Sequence, residues 1–217
     1  MTAIATENDT CSPETRVTRS LLGYGVLAGP LYVVTSVVQG LTREGFDFTR
    51  HEWSLLSNGD LGWIQITNFV VTGLMVMAAA VGLARAAGGW APRLVGLYGL
   101  SLVAAGALRA DPMLGFPIGT PEGPLTSISW HGMGHLVAGS VGFAGLIAAC
   151  LVFGRRFARE GRRGWAAFSR ITGLVFVASF AGIASGTANT VITLAFVGAV
   201  VLAWCWLAAV SAHYYRR

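Results

Sequence analysis

Apolar residues run along this chain in long unbroken blocks, without the narrow stripes of soluble amphipathic helices or the alternation of strands. Six blocks cover about residues 20–40, 62–84, 92–110, 131–153, 169–185 and 190–212. Each is near the roughly 20 residues an α-helix needs to cross a bilayer core. Backbone polar groups in hydrocarbon must pair within their own segment, which selects helices for such blocks. The pattern therefore predicts an all-α, polytopic membrane protein with six transmembrane helices in one bundle over residues 20–213. The boundary between the last two spans rests on Gly186-Thr187-Ala188-Asn189 alone. That stretch is read as a turn, because one helix through both blocks would far exceed the bilayer. Gly29-Pro30 predicts a kink or local packing adjustment in the first span. Gly96, Gly99 and Gly106 predict close helix approach in the third.

Composition agrees with the blocks. Of 217 residues, 54% are hydrophobic and only 12% are charged, against about 25% charged in soluble domains. All 15 basic residues are arginine, and they cluster beside the spans, so the net charge of +5 reports topology and gives no reason to invoke nucleic acid. Twelve arginines fall on the face holding both termini and three (Arg43, Arg50, Arg109) on the other. The positive-inside rule then places both termini in the cytoplasm, in a cell (plasma) membrane. Residues 1–19, with Glu7, Asp9 and Glu14, lack the pattern of a secretory signal and read as a disordered cytoplasmic tail; 214–217 form a cytoplasmic C-terminus. Cys11, Cys150 and Cys205 make neither a disulfide framework nor a metal motif.

Candidate chemistry gathers on the other face. His131 and His135 are four apart at the start of the fourth span, so they share a helix face. Ionisable groups near membrane depth are site candidates by default. The 1–2 loop adds His51, Glu52 and Ser54, and a Pro/Gly-dense 3–4 loop adds Asp111 and is expected to fold back as a cap. His51, His131 and His135 with a water could hold zinc, and Asp111 could be a further ligand or orient one of them. Zinc-bound water is a nucleophile near pH 7, with Glu52, Ser54 and Asp111 as candidate catalytic groups. Each has a structural alternative: His51 in a solvated loop, Asp111 in a turn, Asp47 and Arg50 paired with each other. Gln65 and Asn68 would join helices, and Trp53, Trp63 and Trp130 would form an interfacial belt.

The chain carries Phe46-Asp47-Phe48-Thr49-Arg50-His51-Glu52-Trp53-Ser54, Gly62-Trp63-Ile64-Gln65, Asp111-Pro112-Met113-Leu114-Gly115-Phe116-Pro117 and Ser129-Trp130-His131-Gly132 with His135. These motifs resemble the DUF998 family of bacterial and archaeal membrane proteins, whose activity is unknown. The Ser, His, Asp and paired-His residue types are also similar to those of membrane hydrolases such as alkaline ceramidases. Those proteins have seven spans and carry the pair in the last, so that likeness is chemical analogy. The expectation is an outward-facing His/Asp site serving a zinc-assisted hydrolase of a lipid or amphiphile. The alternatives are a non-enzymatic small-molecule binding or transport protein, or an accessory membrane subunit. Membrane lipids are the expected partners.

Overall fold

The computed structural model describes residues 12–123, 125–186 and 189–217. Among these lie six long helices: α1 (Pro13–Thr42), α2 (Gly62–Ala87), α3 (Ala91–Ala107), α4 (Trp130–Arg159), α5 (Arg163–Ala184) and α6 (Thr190–Tyr215). Each packs on its neighbours in chain order and α6 returns to α1, closing a ring. Together they form a polytopic membrane bundle in which five helices are long and apolar enough to cross a membrane and α3 is shorter.

The helix ends depart from the apolar blocks for identifiable reasons. α1 starts seven residues before Ser20, because Ser12 caps the N–H of Thr15 at 3.3 Å and Pro13 occupies the first turn. Residues 13–19 are therefore helical where a disordered tail was expected; residues 1–11 lie outside the described part. The helix runs on through Pro30. α3 ends at Ala107, and Leu108 is extended. Its 17 residues span about 25 Å, and Leu108-Arg109-Ala110, expected as the end of this span, is loop. The expected turn before α6 partly lies outside the described residues, but Asn189 caps the N–H of Val191 at 2.8 Å.

Small residues set the spacing of the ring. A Cβ on Gly25 would meet the Ser211 side chain of α6 and lie 2.9 Å from Ala79 of α2. Gly73 and Gly99 bring the backbones of α2 and α3 together, and Gly106 approaches the Ile66 carbonyl. The close approach expected from the third span's glycines is therefore made against α2. Between α1 and α2 a buried amide cluster joins the helices. Gln39 donates to Gln65 at 2.8 Å, and Asn68 donates to the Tyr32 carbonyl at 3.1 Å.

The two ends of the ring differ. At the arginine end the turns 88–90 and 160–162 are minimal, and Glu160 pairs with Arg156 (2.8 Å), Arg162 (3.7 Å) and Arg217 (3.6 Å). Phe153, Phe157, Trp206 and Tyr214 fill the interior there, with the Trp206 indole donating to Ser169 at 2.9 Å. The opposite end carries the two long connections, residues 43–61 and 108–129, so this is where a site can be built.

Candidate functional site

The two long loops close over the bundle mouth and clasp each other. Arg43, at the end of α1, donates to the carbonyls of Leu56 (2.6 Å) and Asn58 (2.5 Å), and its guanidinium lies 4.9 Å from the centre of the Phe116 ring. Phe46 meets Phe116 edge-on at 5.2 Å. His51 is the pin between the loops. Its Nδ1 accepts the N–H of Asp47 at 2.9 Å, so Nε2 carries the proton and donates to the Leu114 carbonyl at 2.9 Å. The ring is 1% exposed. His51 is thus neither solvated nor free to coordinate, because backbone partners engage both nitrogens. Asp47 does not pair with Arg50: it accepts from the Thr49 N–H and hydroxyl, and Arg50 reaches Glu122 at 2.7 Å.

Asp111 braces the start of α4. Its carboxylate accepts the Ser129 N–H at 2.8 Å and the Ser129 hydroxyl at 2.5 Å, while Ser129 caps the Gly132 N–H at 3.0 Å. A negative charge at a helix N-terminus is favourable. His135, one turn inside, approaches the carbonyls of Leu108 (2.8 Å) and Ala105 (3.2 Å) with Nδ1. Both partners are acceptors, so Nδ1 is the donor and a neutral His135 keeps its Nε2 lone pair free. The imidazole therefore satisfies α3's terminal carbonyls and joins α3 to α4. His131 stacks on exposed Trp130, and its buried Nδ1 has no partner.

Beneath the cap is a cavity of about 610 Å³, lined by all six helices and both loops. It gathers four of the expected site residues, Glu52, Ser54, Asp111 and His135; His51 and His131 are not among its walls. Among the described residues no group of three or more His, Cys, Asp or Glu side chains could hold a metal ion. The three-histidine arrangement is thus not formed: His51 is built into the cap, while His131 and His135 stay on α4.

The remaining walls are mostly apolar and aromatic. Tyr32 of α1 lies 5.9 Å from both Trp53 and Phe69 (ring centres), and Phe69 lies 6.1 Å from His135. Trp53 leaves the expected interfacial belt: it is 5% exposed, and its indole N–H is buried without a partner. Trp63 and Trp130 do stand on the outside. Glu52 lines the cavity, and burial raises its carboxyl above the usual glutamate range. Among the described residues no arginine pairs with it. Tyr32 and Tyr98 were invisible as site residues because an aromatic in an apolar block reads as core. Their one signal was a phenol at mid-span depth.

The cavity opens sideways. Leu136 and Ser140 of α4 and Ala184 of α5 line it and are also exposed. The close α4–α5 approaches, Gly154 on Ala166 and Gly173 on Cys150, lie toward the arginine end. At the capped end Phe143 and Phe180, 5.1 Å apart, stand between the helices.

The family model described as a protein of unknown function (DUF998) matches residues 26–213. No curated protein and no solved structure matches the chain.

Proposed function

The chain belongs to the DUF998 family, and on that premise we propose that it is an integral membrane protein that binds an amphiphile in the chamber beneath its cap. The observation that carries this reading is the chamber itself. It has ample room for a small lipid-like molecule; its walls leave the Trp53 indole N–H unpaired, and the Glu52 carboxyl on the same walls has no ion-pair partner among the described residues. Buried polar groups are normally satisfied, so unpaired ones on a cavity wall mark where a ligand's polar end belongs. The sideways opening between α4 and α5 lets an apolar chain pass from lipid into the chamber. A zinc-assisted hydrolase finds no ligand set among the described residues, so binding or transport is the better supported reading.

The test is photo-crosslinking in nanodiscs with a monoacylglycerol whose chain carries a diazirine. Label is expected on cavity residues such as Leu102 and Phe143. Ala105→Phe, which fills the chamber from α3, should remove most of it, and Val200→Phe should do the same from α6. Labelling confined to the lipid-facing surface and unchanged in both filled variants would refute the chamber as a binding site.

From the twelve-to-three arginine split we infer that the capped end lies outside the cell. Ile118 is 64% exposed on the cap, so Ile118→Cys should react with an impermeant maleimide in intact cells. The unmodified chain, with Cys11 in its tail, should not. The reverse pattern would invert the topology.

A further inference from the structure

We infer that the chamber selects cationic amphiphiles, with Glu52 and the aromatic rings beside it receiving a quaternary or primary ammonium head. This deepens the amphiphile-binding reading and rests on it. The inference comes from the charge and chemistry of the walls. Of the described residues lining the chamber none is arginine, and the chain has no lysine. The acidic groups on the walls are Glu52 and Asp111. Asp111 is already held by the Ser129 N–H and hydroxyl at the start of α4. Glu52 has its own backbone N–H and the neighbouring His51 ring near its carboxyl, but no ion-pair partner among the described residues. The nearby arginines are engaged elsewhere, Arg43 on the Leu56 and Asn58 carbonyls and Arg50 on Glu122.

An anionic head would therefore meet a carboxyl group and no cation on the described walls. An ammonium head would supply the missing partner. Trp53 follows Glu52 in the chain and packs at 5.9 Å on Tyr32, and all three line the same chamber, so aromatic rings share it with the carboxyl. Ammonium groups are attracted to such faces, most strongly to tryptophan, and most when water is excluded. The unpaired Trp53 N–H and the hydroxyls of Tyr32 and Tyr98 could hydrogen-bond an oxygen near that head, such as an ester carbonyl. The apolar remainder of the chamber, from Phe143 to Phe196 and Val200, takes the chain.

Three probes of equal chain length separate the possibilities: dodecanoylcholine (cation), dodecanoylglycerol (neutral) and dodecyl sulfate (anion). Each competes with the diazirine probe on the full-length protein in nanodiscs of zwitterionic lipid, which avoids enriching either charge at the surface. The expected order is cation, then neutral, then anion. The cation should displace the probe at a concentration lower than the neutral by about tenfold, as a desolvated cation–π contact and a carboxylate partner together allow. Glu52→Gln should erase that gap by weakening the cation alone. Because glutamine is close in shape to glutamate, this variant should remain folded, and an unchanged monodisperse peak and unfolding midpoint verify that. Equal displacement by cation and neutral in the unmodified protein, or a gap that survives Glu52→Gln, would overturn cation selection while leaving the chamber's occupancy intact. Displacement by none of the three would overturn the amphiphile reading itself.

Discussion

Gly73→Leu should abolish assembly of the bundle, yielding little or no monodisperse protein, and Gly73→Ala should lower the unfolding midpoint. A Cβ at position 73 would lie 2.7 Å from the Gly99 carbonyl oxygen and 2.9 Å from the Val103 side chain. The contact is reciprocal: a Cβ on Gly99 would lie 2.8 Å from the Gly73 carbonyl and 2.9 Å from the Met77 nitrogen. Backbone atoms cannot change rotamer, so α2 and α3 would have to separate. Overpacking a fitted site costs about 1–3 kcal/mol, occasionally more, and alanine's better helix propensity returns no more than about 1 kcal/mol. The net sign for Gly73→Ala is therefore destabilising. In the leucine variant, three further heavy atoms beyond the Cβ have no space between two backbones. Gly23 and Gly198 supply the controls, since a Cβ on either meets nothing within 4 Å. Alanine at those sites should be neutral or slightly stabilising. Thermal unfolding in one detergent, read as loss of the monodisperse peak, compares all four. A Gly73→Leu protein as stable as the unmodified chain would show that the α2–α3 contact is not close in the membrane.

The same physics explains which features are legible in the amino-acid sequence. Hydrocarbon admits only helices with internally paired backbones, so apolar blocks read directly as spans and glycines within them as contact points. Gly99 and Gly106 behave as that rule expects, and Gln65 and Asn68 join α1 to α2 as interhelical hydrogen-bonders do. Helix ends are less legible. Ser12 and Pro13 begin α1 by capping chemistry that hydropathy ignores, and the third block extends to Ala110 although the helix ends at Ala107, just before Arg109.

Residue roles are least legible. A histidine shows its type in sequence but not where its nitrogens point. His51 belongs to the cap because Leu114, sixty-three residues away, presents a carbonyl to it. His135 belongs to the chamber wall because α3 ends early and leaves carbonyls open. Glu52 and Ser54 are identifiable as chemistry-bearing residues in a loop. Their confinement in an apolar chamber depends on Trp53 turning inward, a matter of loop geometry with no period to read.

His51→Ala should loosen the cap and destabilise the protein by about 3–5 kcal/mol, even though residue 51 lies outside the chamber. The side chain satisfies two backbone groups, the Asp47 N–H and the Leu114 carbonyl. Leaving the buried Leu114 carbonyl unpaired costs about 1–3 kcal/mol, and the part-buried Asp47 N–H costs less because water can reach it. The imidazole also fills space between Phe46, at 5.3 Å, and Phe116, at 5.5 Å, and its truncation opens a void there. A further effect is local. Leu114 holds a left-handed backbone at φ 57°, a conformation that non-glycine residues keep only when their surroundings impose it. The His51 bond to its carbonyl is one such restraint. Its removal should free the turn around residues 113–116 and raise hydrogen exchange there above any change in α5 or α6. Glu52 and Trp53 follow directly in the chain, so retention of the monoacylglycerol probe should fall as well. A histidine acting as a metal ligand would give a different signature. Chelation of the unmodified protein would reproduce the mutant, whereas a cap pin predicts no response to chelator and the full loss on mutation. Unchanged stability together with unchanged exchange at 113–116 in His51→Ala would refute the pin. Loss reproduced by chelator would return His51 to metal binding.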